Sequence, residues 1–176
     1  MEDLLIRPAV EADLPALLAL VQALTRHHAD APRVTLATLK RDVFGAAPWF
    51  QVLVAEAGAV AGAAAVAGAE AGAEAETGAA RLVGYAALLP LARLGYGERG
   101  MDLHHLFVVE AAQRGGVGQA LVRASEALAR GLGCSYLIIG THPGNRAAQE
   151  YYQRIGYDPI GTTSVRFTRR LGVVEG

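Results

Sequence analysis

Leu106-Phe107-Val108-Val109-Glu110-Ala111-Ala112-Gln113-Arg114-Gly115-Gly116-Val117-Gly118-Gln119-Ala120-Leu121-Val122-Arg123-Ala124 is the stretch from which the rest of the chain can be read. An apolar strand enters a glycine-rich turn and passes directly into an amphipathic helix over 117–130, with Leu121, Val122 and Leu128 on its buried side. Glycines at such a junction let the backbone approach a ligand closely. The first helical turn adds unpaired N–H groups at the positive end of the helix dipole, which suits phosphate or pyrophosphate. Arg114 can add a charge-assisted contact. A plain tight turn has the same composition, and two better-known phosphate loops do not fit. A P-loop needs Gly-Lys-Ser/Thr, whereas Gln119 follows Gly118; a dinucleotide fingerprint needs a third glycine where Leu121 stands.

Outward from this stretch the chain alternates strands and helices. Leu4 to Arg7 reads as an opening strand ended by Pro8, and Asp13 as the N-cap of a helix with Pro15 in its first turn. A shorter helix follows Thr35 through Leu36, Leu39 and Val43. Strands are expected at 49–55, at 82–89 closed by Pro90, at 103–109, at 135–140 and at 162–171, with a helix from Asn145 to Ile155. Residues 57–81 are low-complexity alanine and glycine and read as a mobile connection between two strands. Deleting residues 60–79 is expected to leave melting temperature and activity nearly unchanged. The pattern predicts one α/β domain over residues 1–176, a mixed central sheet flanked by helices on both faces.

Composition narrows the function. Hydrophobic residues make up 52% of the 176 and charged residues 19%, so the chain can bury a sizeable core. The formal charge of −1 provides no broad basic field, so no nucleic-acid partner is expected. No run of strongly apolar residues is long enough to cross a bilayer, and the start carries no signal-peptide pattern, so no membrane partner is expected. The single cysteine, Cys134, excludes a disulfide framework and fits a cytoplasmic location. It reads as buried and inert. The five histidines show no HExxH or HxxxH spacing, so no metal is expected.

A second constellation lies about thirty residues downstream: Asn145-Arg146-Ala147-Ala148-Gln149-Glu150-Tyr151-Tyr152-Gln153-Arg154-Ile155-Gly156-Tyr157, a helix with Asn at its start and Gly at its end. The pattern Q-x-x-G-x-G after an apolar strand, then N-x-x-A-x-x-Y-Y-x-x-x-G-Y, resembles the GNAT superfamily of N-acetyltransferases. Within it, Phe44 to Glu56, Ile6-Arg7-Pro8-Ala9 and Asp102 to Val108 resemble the diamine (spermidine/spermine) acetyltransferase branch.

The resemblance implies an enzyme that moves acetyl from acetyl-CoA to a primary amine of a small molecule, directly within a ternary complex, and a homodimer. It implies that the cofactor's pyrophosphate lies on the amides of Arg114, Gly115, Gly116, Val117, Gly118 and Gln119. The pantetheine would run along Leu106, Phe107 and Val108, and a backbone N–H at Val108 or Val109 would polarise the acetyl carbonyl. Asn145 matches a position that contacts cofactor or substrate, and Tyr152 matches the tyrosine that protonates the departing thiolate. Tyrosine near pKa 10 and a thiol near 8.5 form a workable pair.

A primary amine must lose a proton before it attacks, which calls for a base near Asp102 to Val108. There this chain departs from the diamine branch: His104-His105 stand where that branch has Glu-Asp, and His27-His28 where it has Tyr-Glu. Imidazoles attract a polycation poorly and repel it once protonated. His104 is the expected base, with Asp102 or a water relay as alternatives. Adjacent strand residues face opposite sides, so only one of His104 and His105 reaches the cleft unless a bulge intervenes. His27, His28, His104 and Asn145 are the expected substrate contacts, and His142 is expected to be structural or cleft-lining rather than catalytic. Rival readings are acetylation of a protein or peptide amine, a non-catalytic coenzyme A sensor, and a nicotinamide-dependent reductase, which lacks its fingerprint.

Overall fold

The computed structural model describes residues 4–58, 81–161 and 169. Two compact units are distinct, Met1–Gly140 and Thr141–Gly176. The first holds a five-stranded sheet in the order β1 (Leu4–Pro8), β2 (Gln51–Ala57), β3 (Arg81–Arg93), β4 (Glu98–Val108) and β5 (Tyr136–Ile139). The first four strands pair antiparallel and β5 joins β4 in parallel. The sheet is mixed, as the sequence predicts.

Helices cover both faces. α1 (Leu14–His27) and α2 (Leu36–Phe44) bury Leu17, Leu20, Leu24 and Leu39 against Val52, Val54, Tyr85 and Ala87. α3 (Val117–Gly131) lies on the opposite face. Its Leu121 is so close over Gly84 that a Cβ there would sit 3.4 Å from Leu121 and 2.7 Å from the Phe107 carbonyl. Burying several leucines and valines at about 1.5–3 kcal/mol each is what holds the three layers together.

Helix starts follow local chemistry. Thr35 caps α2 in a reciprocal pair: the Thr38 N–H donates to Thr35 Oγ1 at 3.2 Å, and the Thr35 N–H donates to Thr38 Oγ1 at 2.9 Å. Asp13 stands at the N-cap of α1 but makes no cap hydrogen bond to that helix. Its carboxylate instead takes two hydrogen bonds from Arg7, at 2.7 and 2.9 Å, and one from the Val10 N–H at 2.8 Å. Arg7 also donates to Glu56 at 2.7 Å. A cation shared between two carboxylates is stronger than a single cap, so the expected cap is diverted into a clamp on β1 and β2.

Three other expectations change. β3 does not stop at Pro90 but runs to Arg93, because pairing with β2 ends at Gln51↔Leu88 and a residue without an N–H is tolerated on a strand paired on one flank. β4 consequently starts at Glu98 rather than 103. Cys134 is half-buried rather than buried, sitting in the turn that leaves α3. The strand expected at 162–171 and most of the low-complexity connection, 59–80, lie outside the described residues.

Candidate active site

The site begins where β4 parts from β5. Their parallel pairing runs from Gly100↔Tyr136 to Leu103↔Ile139 and ends there, while β4 continues to Val108 beside β3. The stretch from His104 to Val108, including Leu106 and Phe107, therefore has one flank held by β3 and one not taken by β5. The Val109 N–H donates to the Val83 carbonyl at 2.9 Å and is committed to the β3 side. Amides alternate along a strand, so the Val108 N–H faces the other way. Consistent with that, the Val108 carbonyl accepts from the Gln113 side chain at 3.0 Å rather than from β3. Of the two donors left open by the sequence, the backbone directs Val108 to the free flank.

Gln113 also ties the glycine turn to the strand. The turn is built on left-handed backbone at Arg114 (φ 62°) and at Gly116 (φ 81°), which stands as the N-cap of α3 with no side chain to offer. The helix therefore starts with uncapped amides, and the first backbone hydrogen bond runs from the Ala120 N–H to the Gly116 carbonyl. Val117 is buried and anchors the turn, while Arg114, Gly115 and Gly116 are exposed and Gly118 and Gln119 half-buried. Uncapped amides beside left-handed glycine backbone form a concavity that fits a pyrophosphate.

A bulge sits midway along β4. Ala87 faces His105 and Leu88 faces Leu103, leaving His104 as the extra residue. The two imidazoles consequently stack, 4.8 Å apart with planes 20° off parallel. His104 is 48% exposed and its Nδ1 lies 3.6 Å from the Asp102 carboxylate. His105 points inward, and its Nδ1 meets the Tyr85 hydroxyl at 3.1 Å. Burial, reinforced by the neighbouring His104 and His28, pushes the His105 imidazole down to about 4, so it is neutral at pH 7. Burial likewise holds the Tyr85 phenol above its ordinary range.

His105 and Tyr85 border a cavity of about 250 Å³ between α1, α2 and the sheet. Val21, Leu39, Phe50 and Val52 form much of its wall, and Arg33 and Asp42 also line it. His27 and His28, at the end of α1, are exposed, with rings 5.9 Å apart.

Asn145 and Tyr152 belong to the second unit. Asn145 Oδ1 accepts from the Ala148 N–H at 3.1 Å and so caps α4 (Arg146–Arg154). On that helix Tyr152 is half-buried, its ring 5.4 Å from Tyr151 and 6.2 Å from Tyr157. Burial, with Tyr151 adding to it, holds its phenol above the usual tyrosine value. His142 Nδ1 accepts from the Gly144 N–H at 3.0 Å and braces the turn before α4, the structural one of the two roles expected of it.

The first unit thus brings together the β4 edge, the glycine turn, His104, His105 and the cavity. Sequence reasoning favoured His104 for the cleft and passed over His105 and Tyr85. The bulge that turns both imidazoles to one side carries no glycine or other signal in the sequence. Among the described residues, no three His, Cys, Asp or Glu side chains gather as a metal site requires, and no helix is long and apolar enough to cross a membrane.

The sequence profile of the Acetyltransferase (GNAT) family matches residues 41–157, and the chain belongs to this family. No curated protein matches it. Among solved structures, the chain is similar to an aminoglycoside acetyltransferase, meta-AAC0020, from an uncultured soil metagenomic sample in complex with sisomicin: TM-score 0.71, 16% identity, 96% of this chain and 98% of that one. AAC(6')-Iy, bound to a bisubstrate analogue joining coenzyme A to acetylneamine, aligns at TM-score 0.65 with 18% identity over 95% and 97% of the chains. A ribosomal-protein-alanine N-acetyltransferase from Brucella melitensis biovar Abortus 2308 aligns at 0.64 with 17% identity over 93% and 99%. The same fold therefore serves small-molecule and protein amines.

Proposed function

We propose that this protein is an acetyl-CoA-dependent N-acetyltransferase acting on a primary amine of a small molecule by direct transfer. The observation that carries this is the β4 edge freed beyond Leu103, next to a helix start left uncapped by Gly116. Acetyl-CoA supplies the acetyl group as a thioester. The amides from Arg114 to Gln119 hold the pyrophosphate, and the edge formed by Leu106, Phe107 and Val108 pairs with the pantetheine. The Val108 N–H stabilises the oxygen that gains charge as the amine nitrogen forms its bond to the carbonyl carbon. Tyr152, kept protonated, hands its proton to the sulfur as the carbon–sulfur bond breaks. The proton shed by the amine leaves through His104, whose exposure lets it pass the proton to water and whose Nδ1 lies 3.6 Å from the Asp102 carboxylate. Asn145 adds a contact from the start of α4, and His27 and His28 stand on the acceptor side. Homodimer assembly and a cytoplasmic location belong to the same proposal.

The test is Tyr152→Phe. Coenzyme A binding by calorimetry is expected to persist while thiol release from acetyl-CoA, assayed with a panel of amines, falls by about a hundredfold. Wild-type protein that binds coenzyme A but turns over no amine would instead point to a non-catalytic binder.

A further inference from the structure

The cavity beside His105 bears on which amine is accepted, an inference that rests on the acetyltransferase reading above. Most of its wall is apolar, through Val21, Leu39, Val43, Phe50 and Val52. Its polar groups are nearly all engaged. The Thr25 hydroxyl donates to the Val21 carbonyl at 3.0 Å. The Asp42 carboxylate is held by the Arg41 guanidinium in two contacts, at 2.7 and 2.9 Å. Tyr85 and His105 satisfy one another, and burial keeps both uncharged at pH 7. What remains is Arg33, whose guanidinium makes no hydrogen bond or ion pair among the described residues.

A polycation is selected by carboxylates free to face each of its ammonium groups, and rejected by an unpaired cation. Among the described residues this wall has one carboxylate, already paired with Arg41, and one cation without a partner. We infer that the acceptor carries a single ammonium on an apolar body that fills the cavity, and that any second charge on it is a carboxylate facing Arg33. Di- and polyamines and aminoglycosides are disfavoured, despite the fold shared with aminoglycoside acetyltransferases.

The experiment pairs two readouts on the full chain: thiol release from acetyl-CoA, and calorimetric binding to the coenzyme A-loaded protein, where no transfer can occur. The probes are 2-phenylethylamine, hexylamine, phenylalanine, spermidine and kanamycin. Phenylethylamine is expected to exceed spermidine and kanamycin by about tenfold or more in kcat/KM, with binding in the same order. Spermidine or kanamycin leading in turnover overturns the inference and leaves acetyl transfer standing. Binding in the expected order without thiol release from any probe upholds the cavity's preference and removes acetyl transfer. Failure of every apolar monoamine to bind at millimolar concentration overturns the inference. Arg33 is exposed, so Arg33→Glu is compatible with folding; it is expected to raise spermidine relative to phenylalanine by about threefold or more. An unchanged ratio removes Arg33 from the account.

Discussion

His105 and Tyr85 form a neutral pair at the end of an apolar cavity, and its cost and benefit are open to measurement. The imidazole is pushed down to about 4 by burial, against an ordinary 6.5 in the unfolded chain. Between those values the unfolded state binds more protons, so stability is full above about pH 6.5 and declines as pH falls toward 4. Thermal melts from pH 7 to 4 are expected to show this decline, and His105→Asn to flatten it. Asp13 shifts in the same direction for a different reason: hydrogen bonding from Arg7 holds its carboxyl below the ordinary range, so its contribution is lost only at still lower pH. Replacing Tyr85 with Phe removes the partner of a buried ring nitrogen. It is expected to cost about 1–3 kcal/mol in chemical denaturation, with no loss of coenzyme A affinity.

At the level of the element, β4 does three jobs along its length: it pairs β5 in parallel, carries the bulge and offers a free edge. The first depends on Gly100. A Cβ there would collide with the ring of Tyr136, over which the Arg93 guanidinium also lies at 4.5 Å. Gly100→Ala is therefore expected to destabilise by about 1–3 kcal/mol, read from the urea midpoint, because the ring must leave the sheet to make room. Gly116 is constrained differently. A Cβ would meet nothing within 4 Å, but φ is +81°, so Gly116→Ala is expected to cost about 1 kcal/mol in stability. If the turn's amides hold the pyrophosphate, the same change weakens coenzyme A binding measurably, whereas Gly95→Ala, on the β3–β4 hairpin, does not.

The whole molecule bears on the low-complexity connection. Ala57 stands directly opposite Arg81 at the end of the β2–β3 pairing, so a short turn can span the gap. Deleting residues 60–79 is therefore expected to leave melting temperature and thiol release nearly unchanged. A lowered melting temperature or lost activity would show that the segment acts on the rest of the chain.

The order of strands and helices in the first unit and the glycine turn were legible in the sequence, because periodicity and glycine placement are local properties of the chain. So was the cap at Asn145, a side chain bonding its own helix. Asp13 was misread because its partner Arg7 lies across a turn and competes with the cap. The extension of β3 through Pro90 depended on where β2 runs out. The bulge at His104 arises from register between β3 and β4, and register belongs to pairs of strands rather than to either sequence alone. By itself the sequence determined the kind of fold and the glycine turn before α3. Only the tertiary structure decided that His105 faces the cavity, that Val108 rather than Val109 has its N–H on the free flank, and that Arg33 is the cation left without a partner there among the described residues. Each depends on which groups long-range pairing consumes and which it leaves for a ligand.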